Sequence, residues 1–134
     1  MELYHPSKRS NKFKATVAKR DGDLDLAILS HAIPATEYYA LERSFVAVAV
    51  GNDLTAIGYP GFGPGDGLNV REGKVSSLPV KSGVKIIEVT QKLPPGMSGG
   101  PLLDGNDAVV GVTHKGGPDE GRDFAVHIEM IDNI

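Results

Sequence analysis

Pro95-Gly96-Met97-Ser98-Gly99-Gly100-Pro101-Leu102 sets one hydroxyl among three glycines. Glycine at 96, 99 and 100 removes the Cβ atoms that would crowd a carbonyl approaching Ser98, and it permits the positive φ of a tight loop. Backbone N–H groups in such a loop can converge on one point, as they do where an acyl-transfer site stabilises an oxyanion. A Gly/Pro-rich turn between two strands of any β protein has the same composition. Both readings place the loop between strands, and one of them makes Ser98 a nucleophile.

Outward from this loop, the chain consists of short β-rich runs separated by Gly, Pro and Asp turns, with no sustained 3.6-residue period. Strands are expected near 1–5, 12–20 and 25–30, then a polar connection from Pro34 to Glu42, and a further short strand at Phe45–Val50. A second set is expected near 53–59, 68–78, 84–90, 100–104, 108–115 and 122–128, and six such strands suffice to close a small barrel. Glu129 to Ile134 reads as the opening of a short C-terminal helix. The fold class is all-β, and no internal repeat or low-complexity tract is visible.

Gly96-Met97-Ser98-Gly99-Gly100-Pro101 resembles the nucleophile loop of the trypsin-like serine peptidases. Asp25-Leu26-Ala27-Ile28-Leu29 resembles the segment that carries their orienting carboxylate, after a strand like Phe13-Lys14-Ala15-Thr16-Val17, and the separation of 98 − 25 = 73 residues is similar to that in the bacterial high-temperature-requirement, or Deg-like, branch. Ala56-Ile57-Gly58-Tyr59-Pro60, Gly73-Lys74-Val75-Ser76, Val110-Gly111-Val112 and Phe124-Ala125-Val126 match further strand motifs of that branch in order. Each is weak alone; together they cover most of the chain from Phe13 onward.

The resemblance implies a chymotrypsin-like double β-barrel. Residues 43–134 would form a complete six-stranded C-terminal barrel carrying Ser98, and residues 1–42 a partial N-terminal barrel of about three strands carrying Asp25. Its unpaired edges would call for a strand-completing partner or self-association. The implied function is that of a serine endopeptidase-type domain acting on a peptide or unfolded protein substrate. Ser98 would be the nucleophile, Asp25 the buried carboxylate that orients the base, and the N–H groups of Gly96 and Ser98 the oxyanion hole. Met97 stands where zymogen-activated relatives hold an acidic residue, so activation by a freed N-terminus is not expected. Lys92, Thr113, His114, Lys115 and Gly116 would border the substrate pocket. Lys92, Thr113 and His114 together would favour an acidic side chain; alternatively, Lys92 points to solvent and the pocket is small and apolar.

The base is missing from this pattern. The family's histidine sits in Thr-x-Ala-His roughly 30 residues before the Asp, about five residues before Met1 here. His5 reads as a hairpin residue and His31 as a loop residue, while His114 and His127 follow Ser98. Losing the histidine of a triad costs on the order of a million-fold, about 8 kcal/mol of barrier. The histidine then lies upstream of Met1, or a partner supplies it, or the chain is a non-catalytic relative that binds extended peptides or a partner protein by strand addition.

Composition excludes several other classes. A formal charge of −3 over 134 residues, with no long basic run, argues against nucleic acid as the main partner. There is no cysteine, hence no disulfide framework or thiol chemistry. The longest apolar run, Phe45 to Val50, is far too short to span a bilayer. No secretion signal follows Met1, which leaves bacterial cytoplasm and periplasm both open. The four histidines lack metal-ligand spacing, and no cofactor is expected. Gly61-Phe62-Gly63-Pro64-Gly65-Asp66-Gly67 lacks the Gly-Lys-Ser/Thr and the helix start of a phosphate loop, and reads as a loop between strands.

Overall fold

The structure, a computed structural model, describes residues 1–5, 8–60, 67–114 and 122–134. The chain divides into two units, Met1–Ala40 with Ile134 and Leu41–Asn133.

The first unit is a three-stranded antiparallel sheet in the order β1 (Glu2–Leu3), β2 (Phe13–Asp21), β3 (Leu26–His31). Its main hairpin turns on Asp21, whose Oδ1 accepts the N–H groups of Asp23 at 2.9 Å and Leu24 at 3.2 Å. This side-chain mimic of a backbone turn is what aspartate does well. Among the described residues only Ala15 and Leu24 of this unit are buried apolar side chains. A 3₁₀ turn, Ala35–Glu37, follows.

In the second unit the strands are β4 (Asp53–Gly58), β5 (Asn69–Ser77), β6 (Val80–Lys81), β7 (Val84–Val89), β8 (Pro101–Leu103), β9 (Val109–His114) and β10 (Asp123–His127). They run in the order β10-β9-β8-β4-β5-β7-β6, every neighbour antiparallel, and β10 also pairs with β7. That pairing closes six strands into a barrel and leaves the two-residue β6 outside it. Leu54, Ala56, Val75, Ile87, Val89, Met97, Leu102, Val110 and Ala125 fill the interior, with Val48 and Leu93 packed against them. Leu54 and Ala56, like Ile87 and Val89, are two apart, so the pleat sends both members of each pair to the same face.

The expected all-β fold with a six-stranded barrel and a further sheet is what the structure has, in keeping with a chymotrypsin-like architecture. Three details differ. The C-terminal helix is a 3₁₀ segment, Ile128–Asn133, held by buried Ile128 and Met130. Phe45–Val50 forms no strand: Val46 N–H is taken by Ser44 Oγ and Ala49 N–H by Asn52 Oδ1, while Phe45 and Val46 are exposed. Local side-chain acceptors satisfy that backbone in place of a ladder. The unexpected β6 arises from a two-residue hairpin, Ser82-Gly83, with φ of 52° and 79°. Positive φ at both positions is the type I′ turn that suits strand twist.

Candidate active site

The Ser98 loop is two consecutive β-turns. Met97 N–H donates to Pro94 O at 3.2 Å, and Gly100 N–H donates to Met97 O at 3.1 Å. The third residue of each turn is a glycine at positive φ, Gly96 at 97° and Gly99 at 90°, while neither Pro95 nor Ser98 has positive φ. These are type II turns, which is why glycine recurs at that spacing.

Three contacts fix the loop to the barrel. Met97 is 1% exposed, and its Sδ would lie 2.9 Å from a Cβ placed on Gly58. Gly100 passes so close to β4 that a Cβ would meet Ile57 O at 2.4 Å. On β9, buried Thr113 accepts Gly99 N–H at 2.8 Å, donates its N–H to Gly100 O at 2.9 Å, and directs its hydroxyl to Met97 O at 2.5 Å. At the root of the loop, buried Gln91 donates Nε2 to Arg71 O at 3.2 Å and to Leu54 O at 3.4 Å, tying the chain to β5 and β4.

The N–H groups of Met97, Gly99 and Gly100 are thus used inside the fold. Among the described residues, no acceptor holds the N–H of Gly96 or of Ser98, and both residues are exposed. Among the described residues, two N–H groups of the loop that carries Ser98 thus remain without an acceptor. Sequence reasoning named Gly96 and Ser98 but missed the anchors Met97 and Gln91 and the inward use of the Thr113 hydroxyl. A threonine directly after the apolar run Val109–Val112, on the same strand, was the available signal for the last.

The other residues singled out lie as follows. Asp25 ends the turn before β3 at φ 54°, in the first unit, and is exposed where the resemblance implies a buried carboxylate. Lys92 is exposed, and His114 is half-buried at the end of β9, opposite Phe124 of β10. Lys115 and Gly116 lie outside the described residues, as does most of the glycine-rich stretch from Gly61. His31 Nδ1 accepts Ile33 N–H at 3.1 Å, and His127 Nδ1 accepts Glu129 N–H at 3.1 Å. Burial holds the His127 imidazole below its ordinary range. Among the described residues no group of three or more His, Asp or Glu side chains is placed to hold a metal. Among the described residues no helix is long and apolar enough to cross a membrane.

Residues 3–112 match the family model of the trypsin-like peptidase domain. The structure is similar to the active form of the Rv3671c protease from M. tuberculosis, with a TM-score of 0.79 at 24% identity, covering 92% of this chain and 57% of that one. It is also similar to the inactive form of that protease and to an inactive serine-to-alanine mutant of it, each with a TM-score of 0.74 at 24% identity over 92% of this chain. The chain spans 57% to 66% of the length of these solved chains. No curated protein sequence matches it. With the family model covering most of its length, the chain belongs to the trypsin-like peptidase domain family.

Proposed function

We propose that this domain carries the nucleophile and oxyanion hole of a serine endopeptidase acting on extended or unfolded polypeptide. The observation that supports this most is the loop's distribution of donors: Met97, Gly99 and Gly100 spend theirs inside the fold, and among the described residues no acceptor takes those of Gly96 and the exposed Ser98. Ser98 Oγ attacks the peptide carbonyl, an imidazole takes its proton and returns it to the leaving amine, and the oxyanion rests on the two N–H groups. Asp25 is the orienting carboxylate in this scheme. The imidazole is assigned to sequence outside residues 1–134, since none of the four histidines stands in the family's Thr-x-Ala-His context. The chain alone is then expected to be inactive.

The test starts with the coding sequence upstream of the Met1 codon. An in-frame Thr-x-Ala-His about five residues before Met1 is expected. In the protein so extended, a fluorophosphonate should label Ser98, and Ser98→Ala should abolish labelling and peptide turnover while leaving the melting temperature unchanged. A stop codon in that place, together with peptide binding that survives Ser98→Ala, would instead make the chain a non-catalytic peptide-binding module.

A further inference from the structure

We infer that Thr113 is a positioning residue for the Ser98 N–H, acting through the Met97–Ser98 peptide group. The inference rests on the reading of Ser98 N–H as an oxyanion donor. No peptide bond among the described residues is cis. In a planar trans peptide the C=O and the N–H point in opposite directions, so fixing one fixes the other. Met97 O is fixed on the buried side by two donors, the Thr113 hydroxyl at 2.5 Å and Gly100 N–H at 3.1 Å. Thr113 is 3% exposed and Met97 1%, whereas Ser98 is exposed. With the carbonyl turned into the barrel, the Ser98 N–H is turned out of it.

The side chain is what makes this specific. The two backbone bonds of Thr113, to Gly99 and Gly100, would be made by any residue on β9, but the bond to Met97 O needs a hydroxyl. A buried hydroxyl without a partner is costly, and valine would fill the same volume without that cost. The hydroxyl carries one proton; Gly100 O, at 3.1 Å, is the more distant of its two acceptors. Donation to Met97 O also polarises the amide, which makes the Ser98 N–H the better donor.

The experiment is amide NMR on the 134-residue chain as wild type, Thr113→Val and Thr113→Ser, with melting temperatures alongside. Expected are a displaced Ser98 amide signal in Thr113→Val, the wild-type position restored in Thr113→Ser, and barrel amides unmoved in both. A folded Thr113→Val with an unmoved Ser98 amide overturns the inference. If the valine variant does not fold, the wild type decides: a Thr113 hydroxyl proton protected from exchange and correlated with the Met97 carbonyl supports it, and one exchanging at the solvent rate overturns it. In the upstream-extended protein, Thr113→Val should slow fluorophosphonate labelling about tenfold, less than complete loss of an oxyanion donor. No labelling of the wild type would sink the nucleophile reading while the Ser98 amide result stood; equal labelling of wild type and Thr113→Val would sink the positioning role alone.

Discussion

At Gly100 a Cβ would meet Ile57 O at 2.4 Å and Met97 O at 3.1 Å, both main-chain atoms that cannot step aside without moving β4 or the Ser98 turn. Gly100→Ala should therefore destabilise the protein by about 1–3 kcal/mol, read as a lower denaturant midpoint. Elsewhere, single residues set the response to acid. Glu88 accepts Arg122 Nε at 2.5 Å and the Ser77 hydroxyl at 2.6 Å, and these bonds hold its carboxyl below the ordinary 4.5. Because the folded carboxyl titrates lower than the unfolded one, the unfolded chain binds more protons between the two values. Its contribution is complete above the unfolded value and is lost as pH falls through the folded one. Glu88→Gln should flatten the acid limb of a stability-against-pH curve below pH 4.5 and leave its slope near neutrality alone. A variant with the wild-type acid slope would show that Glu88 is not the group responsible.

Among elements, β5 crosses the root of the Ser98 loop at a single glycine. A Cβ on Gly73 would stand 2.2 Å from Gln91 Oε1 and 2.8 Å from Thr90 Oγ1. Gly73→Ala should expel the Gln91 amide and break its bonds to Arg71 O and Leu54 O. Gln91→Ala removes that obstruction, so the double variant should lose less than the two single losses added, with a coupling of about 1 kcal/mol in a double-mutant cycle. Strict additivity would mean that Gln91 is not what holds β5 and the loop together. The elements legible in sequence were those whose pattern and packing agree: Leu54 and Ala56, Ile87 and Val89, and Ala125 all point where an alternating strand sends them. Phe45–Val50 misled because its apolar composition imitates a buried strand, whereas Ser44 and Asn52 take its N–H groups and leave Phe45 on the surface, under the Arg43 guanidinium at 4.6 Å. β6 is too short for periodicity, although Ser82-Gly83 is a hairpin dipeptide in its own right. In the site, Gly96 and Gly99 were legible because a tight turn at positive φ demands glycine, and Ser98 because it stands in the motif Gly96-Met97-Ser98-Gly99-Gly100-Pro101. The anchoring of the loop by Met97 and Thr113 was not, since which strand passes beneath a loop is decided by pairing far along the chain.

For the whole molecule, the two units differ in how much apolar surface they bury. The first has Ala15 and Leu24, whereas the second has the closed barrel and its filled interior. Local opening follows buried contact, so amides of β2 and β3 should exchange with deuterium well before those of β4, β7 and β9. Uniform protection across both units would contradict this. The closing pair of the barrel joins β7 to β10, from Val89 opposite Asp123 to Ile86 opposite Val126, and β10 is the last strand in the chain. Synthesis makes β7 well before β10. Translation at about 5–20 residues per second needs several seconds to pass from Val89 to His127. Throughout that interval a nascent chain holds β7 without its final neighbour, and the Ser98 loop leaves the ribosome before the strand bearing Thr113 can be locked in place by β10. The barrel around the site is therefore closed by its last strand to be made: until Asp123–His127 has emerged, the growing polypeptide carries an open sheet edge at β7, the kind of edge that aggregates.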